Sequence, residues 1–150
     1  MPACREWSIL YHPIFNQQYQ DIINKVEKLE ANVKKGKLTL EGFKKHSQVK
    51  FLANLRRCIQ EKIVQNPLDE RYRLRSPLQD YCRVKGLGLP KRYRLFFWVD
   101  SESCTIIILW LGYPREEGSK KDCYEVFKKK VAKGEFLADD GDLLLPESID

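Results

Sequence analysis

The apolar positions change period along the chain, and each change marks an element. Residues 7–12 are aromatic and β-branched and run into Pro13, which predicts a first strand. From Asn16 the spacing becomes helical: Tyr19, Ile22, Ile23, Val26, Leu29 and Val33 recur every three or four residues, predicting a helix over 16–35 that stops near Gly36. Leu52, Leu55, Ile59 and Ile63, flanked by Phe43 and Phe51, repeat the stripe. That second helix ends before Asn66-Pro67, because a residue preceding proline is pushed out of the α region. The pair forms a helical hairpin whose apolar side needs a cover.

The cover lies downstream. Residues 81–85, 93–99 and 105–111 read as three successive strands with short connections holding Gly86, Gly88 and Pro90, then residues 100–103, so an antiparallel sheet is expected. A last helix follows. Ser119 to Asp122 and Asp122 to Glu125 both have capping-box spacing, and Tyr124, Phe127 and Val131 draw its apolar stripe up to Gly134. The expected fold is α+β, with an N-terminal strand and a helical hairpin packed on the sheet and a C-terminal helix. A chain of 150 residues suits one domain, with a compact body over about 7–134 and a loose acidic tail over 135–150.

Composition narrows the function. The longest uncharged apolar run, residues 105–112, is far short of the ~20 residues that span a bilayer. The first residues have no apolar signal core, so a soluble, cytoplasmic protein with no membrane partner is expected. Five scattered cysteines without a C-x-x-C pair disfavour a disulfide framework and structural zinc. The net charge of +6 hides an asymmetry: the six acids of residues 135–150 leave the body with 27 bases against 15 acids. Such a body attracts polyanions, and the tail is expected to compete weakly with them.

The cations cluster. Arg83, Lys85, Lys91, Arg92 and Arg94 lie within two neighbouring strands and their connection, with no acid between them. Period-two alternation sends Tyr93, Leu95 and Phe97 to the helices and Arg92, Arg94 and Trp98 to the other face, predicting an open cationic face with Trp98 as a stacking candidate. Arg115, Lys120, Lys121 and Tyr124 come from the last loop and helix. His12 and His46 read as packing or surface residues, and no carboxylate cluster on the basic strands suits a metal nuclease. No cofactor is expected.

Arg83-Val-Lys85, Arg92-Tyr-Arg-Leu-Phe-Phe97, Thr105-Ile-Ile-Ile-Leu-Trp110 and Lys120-Lys-Asp-Cys-Tyr-Glu-Val-Phe127, after the opening Trp7-Ser-Ile-Leu-Tyr-His-Pro-Ile-Phe15, resemble in order the YhaV-type toxins of bacterial toxin–antitoxin systems. The resemblance implies a RelE/ParE-like fold and an endoribonuclease that cleaves messenger RNA, often on translating ribosomes, and so inhibits translation and growth. It also implies a PrlF-like antitoxin of the AbrB type, with operator DNA reached only through the antitoxin complex. By motif match, Arg94 falls where that superfamily places a phosphate-stabilising arginine and Tyr124 near its C-terminal tyrosine. Arg83 joins Arg94 in charge stabilisation. Lys85 or Lys121 takes proton transfer or phosphate binding, and Tyr124 takes base positioning or proton donation. Lys91, Arg92, Trp98, Arg115 and Lys120 are the expected RNA contacts. A ParE-like topoisomerase inhibitor and a non-catalytic RNA-binding module stay open as alternatives.

Overall fold

In the computed structural model, which describes residues 4–112 and 123–146, four strands form one sheet in the order β1-β4-β3-β2. They are β1 (Ser8–Tyr11), β2 (Tyr81–Val84), β3 (Arg94–Asp100) and β4 (Thr105–Gly112). The three later strands pair antiparallel as expected, and β1 adds in parallel to β4, making the sheet mixed. The strand β1 ends where Pro13 opens α1 (Pro13–Lys34), and His12 caps that helix, its Nδ1 accepting from the Ile14 amide at 3.1 Å. Past the end of β1, the Gln18 side chain takes over its pairing. Its amide donates to the Leu111 carbonyl and accepts from the Leu111 amide, both at 2.8 Å.

The hairpin's return arm is less regular than a single helix. A short α2 (Leu40–Lys45) precedes α3 (Ser47–Arg57), which His46 caps as His12 caps α1. A π turn over Cys58–Lys62 and a 3-10 turn over Ile63–Gln65 then carry the buried Cys58, Ile59 and Ile63 down to Asn66-Pro67. The last helix, α4, is Cys123–Ala132; both predicted capping boxes begin outside the described residues.

Two apolar clusters sandwich the sheet. On one face Phe15, Tyr19, Leu55 and Ile59 pack against Leu95, Phe97, Ile106 and Ile108. On the other, Phe127 of α4 stacks on Phe96 with ring centroids 4.1 Å apart, over Trp110, Leu109, Leu74 and Leu78. This corrects the expected open face: α4 and the segment before β2 cover its middle, and only its ends reach solvent. The uninterrupted apolar run of β4 reflects burial on both sides.

The acidic tail is also corrected. Residues 135–146 fold back over the sheet, where Phe136 packs on Phe127 at 5.1 Å and on His12 at 5.5 Å. Leu144 then exchanges backbone hydrogen bonds with Tyr11 at 2.7 and 2.9 Å. This strap therefore closes the β1 edge, at the opposite side of the sheet from β2. A disulfide joins Cys4 to Cys104 in the β3–β4 turn, a pairing across 100 residues that their spacing does not announce. Cys58 and Cys82 are buried thiols, and desolvation pushes them up to about 12 and about 11, so both stay protonated and inert.

Candidate nucleic-acid interface

Most of the cations singled out in the sequence gather where β2 and β4 end and β3 begins. Antiparallel register sets Val84 against Leu95, so Lys85, just after β2, and Arg94, at the start of β3, both lie at this end of the paired strands. On its other side Arg94 pairs with Gly112, the last residue of β4. Arg94 is half-buried, and its Nη1 donates to the Tyr93 carbonyl at 2.8 Å, which anchors the side chain; among the described residues the rest of its fork has no partner. Lys85, Lys91 and Arg92 are exposed. Among the described residues, none of these four cations has a carboxylate partner; the ion pairs join Arg57 to Glu61, Arg71 to Asp69 and Lys130 to Glu135. Arg83 sits on β2 opposite Phe96, half-buried and already engaged with a neighbour.

The first turn of α4 closes this end. A Cβ on Gly112 would lie 2.8 Å from Trp110 Cζ3 and 3.0 Å from Cys123 Cβ, so glycine is what lets the helix begin beside the end of β4. The Cys123 thiol donates to the Arg92 carbonyl at 3.8 Å. Arg92 itself has φ 76°, in the left-handed region, so it belongs to a turn, and the strand alternation assumed for it does not apply. Tyr124, one residue into α4, is half-buried against the Phe96–Phe127 cluster. Arg115, Lys120 and Lys121 lie outside the described residues.

Trp98 is not part of this cationic end. It shares the α4 face of β3 with Arg94, but Phe96, fully buried under Phe127, stands between them. Its indole, 42% exposed, lines a separate groove of about 150 Å³ with Leu68, Asp69, Arg73, Gln79 and Asp80. Across the strands it pairs with Tyr81, whose phenol is pushed up by burial and then by the Asp80 charge, keeping it a hydrogen-bond donor. A larger groove of about 550 Å³ opens on the opposite face of the sheet. Gln18, Ile22, Phe51, Pro90, Tyr93 and Leu111 line it, with the Phe51 and Tyr93 rings 5.0 Å apart. Tyr93 has the packing position its alternation predicts, and the sequence places neither groove, because each is assembled from segments far apart in the chain.

Cations held at a strand end, without carboxylate partners among the described residues and beside the first described turn of a helix, form a surface suited to phosphate oxygens. Among the described residues, no three His, Cys, Asp or Glu side chains converge to hold a metal ion. No described helix is long and apolar enough to cross a membrane.

Comparison with known proteins gives this surface a context. The chain is 34% identical over 142 residues to the ribonuclease toxin YhaV of Escherichia coli K12, covering 89% of this chain and 86% of that protein. The YhaV toxins of Escherichia coli O157:H7 and of strain CFT073 match with the same identity and coverage. No solved structure matches the chain significantly. Residues 9–148 match the YhaV toxin family, described as toxins with endonuclease activity of toxin–antitoxin systems. The chain therefore belongs to the YhaV family of toxins, and is an endonuclease whose partner is an antitoxin.

Proposed function

We propose that the protein is a metal-independent endoribonuclease that cleaves messenger RNA, on translating ribosomes among other settings, at the strand end formed by Lys85, Arg94 and the start of α4. The observation that carries this reading is that Lys85 and Arg94 come together just past the Val84–Leu95 pair and, among the described residues, have no carboxylate partner. In the reaction the ribose 2′-oxygen attacks the adjacent phosphorus as its proton passes to a base. The P–O5′ bond breaks, and the 5′-oxygen takes a proton from an acid, leaving a 2′,3′-cyclic phosphate and a 5′-hydroxyl. Charge gathers on the non-bridging oxygens, where the arginine fork binds best, so Arg94 with Arg83 stabilises the transition state more than the ground state.

Lys85 and Lys121 supply proton transfer or a further positive charge, and Tyr124 positions a base or donates a proton. Lys91, Arg92, Arg115 and Lys120 hold the flanking phosphates. The named activity of the Escherichia coli relative supports RNA as the substrate. A RelE/ParE-like arrangement is consistent with a helical hairpin on one sheet face and a C-terminal helix on the other. The antitoxin, of the PrlF-like AbrB type, neutralises the toxin by covering this cationic end. The family's endonuclease activity favours this reading over topoisomerase inhibition and over a binding module without chemistry.

The test is induction of the wild-type chain and of Arg94→Ala in growing bacteria, with mapping of new RNA 5′ ends, and digestion of RNA by the purified proteins in a chelator. We expect growth arrest, new 5′-hydroxyl ends, and a loss of roughly 10²–10³-fold in cleavage on removing Arg94, at an unchanged melting temperature. Arrest with intact RNA, or cleavage that stops in the chelator, overturns the reading.

A further inference from the structure

We propose that the groove beside Trp98 is a base-reading subsite: one unpaired guanine of the RNA stacks on the Trp98 indole, and the Asp80 carboxylate accepts hydrogen bonds from its Watson–Crick edge. This inference rests on the proposed RNA cleavage at the Lys85–Arg94 end and adds a source of sequence preference to it.

The two ends of the β2–β3 hairpin differ in chemistry. Trp98 lies on the same face as Arg94, four residues along β3, or about 13 Å away. At the Arg94 end the exposed groups are cations, which suit phosphates. At the Trp98 end Asp69 and Asp80 line the groove with one cation, Arg73, and Asp100 and Glu102 lie nearby in the chain, so acids outnumber bases there and the end suits a phosphate less well. An exposed aromatic ring among acceptors suits a base instead: its π face takes the stack, and its amino and imino groups donate.

The size and the free acceptors narrow the occupant further. A groove of about 150 Å³ takes one planar base and no helix or peptide chain. Asp69 is already committed, since Arg71 holds both its oxygens at 2.7–3.2 Å. Asp80 and Gln79 are exposed and have no side-chain partner among the described residues, so Asp80 is the carboxylate left to read a base. Guanine is the base that offers one carboxylate two adjacent donors, its N1–H and N2–H. Between the two ends, Arg83 of the edge strand β2 stands opposite Phe96 and gives the connecting backbone a cation on the way.

The experiment uses the purified full chain with short single-stranded RNAs, made uncleavable by a 2′-deoxy sugar at the cut, and end mapping on cleavable RNA. The variants are Trp98→Ala, Trp98→Phe and Asp80→Asn, with Arg94→Ala as the control for the catalytic end. Trp98→Ala should weaken binding roughly tenfold and abolish the indole quenching seen with guanine-containing RNA, while Trp98→Phe keeps most of the affinity. Asp80→Asn, at an exposed position, should remove a guanine preference at one fixed position near the cut. If Arg94→Ala abolishes cleavage while the Trp98 and Asp80 variants keep wild-type affinity and end pattern, the subsite is overturned and the nuclease reading stands. If Arg94→Ala cleaves normally, the nuclease reading at that end has failed. Trp98→Ala that binds RNA normally but escapes neutralisation by the antitoxin makes the groove a protein contact and overturns the base-reading role.

Discussion

The β1 edge of the sheet and the opposite end of the β2–β3 hairpin are built on contrary principles. At the β1 edge the strap over 135–146 buries Phe136 beside Phe127 and His12 and pairs Leu144 with Tyr11, so apolar area and backbone hydrogen bonds are both used up. At the Lys85–Arg94 end, Lys85, Lys91, Arg92 and Arg94 have no carboxylate partner among the described residues, and Arg92 holds a backbone conformation that costs energy. The difference separates stability from function. One region spends its contacts on holding the fold, whereas the other, where we propose that RNA is bound and cut, leaves its cations uncovered at some expense to the fold. Of the strap's acids, Glu135 pairs with Lys130 and the Asp142 charge acts on His12, so these two are engaged within the strap's own surroundings.

The largest break in that contrast should come from Phe136→Ala. Removing a half-buried ring from the Phe127 contact is expected to cost about 2–3 kcal/mol of unfolding free energy while leaving cleavage per folded molecule unchanged. Denaturant unfolding read against single-turnover cleavage checks both halves. A folded variant with crippled cleavage would place the strap in the working surface.

Arg92→Gly should give the opposite signs. Glycine adopts φ 76° without strain, so stability should rise by about 0.5–1 kcal/mol, net of the extra freedom glycine gives the unfolded chain. Loss of the guanidinium should weaken RNA binding a few-fold and flatten its salt dependence by roughly one counterion. Stability that falls instead would show that the Arg92 side chain holds the turn beyond its backbone contact with Cys123.

How much of this was legible in the sequence depends on the range of each signal. The three antiparallel strands and the helical stripes were readable because alternation and three-four spacing are local. Phe96-Phe97 and the apolar run of β4 also carried a sign of two buried faces, which the one-sided reading passed over. The cationic end was readable as a cluster, since Lys85 and Arg94 flank one short connection. Trp98 was placed on the right face, but its separation from Arg94 depends on Phe127, which arrives from α4. The Cys4–Cys104 bridge, the strap on Tyr11 and the groove around Asp80 join segments distant in the chain, and no periodicity encodes such meetings.

The smallest effect sharpens the contrast through pH. His12 is 4% exposed, its Nδ1 is occupied by the Ile14 amide, and among the described residues its Nε2 finds no partner at hydrogen-bond geometry. Burial lowers its pKa from the ordinary 6.5, with the Phe136 backbone and the Asp142 charge pulling weakly the other way. The unfolded chain therefore binds more protons than the fold just below that value. Stability is complete above pH about 6.5 and declines as pH falls below it, until the folded imidazole is itself protonated. Asp69 and Asp100 lie below their ordinary 3.8 through hydrogen bonds from Arg71 and Ser103, so they act in a more acidic window. Asparagine keeps a cap acceptor but does not titrate. Thermal unfolding of wild type and His12→Asn at pH about 7.5 and about 5.5 should show a loss in the wild type that shrinks in the variant. RNA affinity at the Arg94 end should follow the folded fraction alone. An undiminished loss in His12→Asn would move the pH sensitivity away from the strap edge and remove His12 from the contrast.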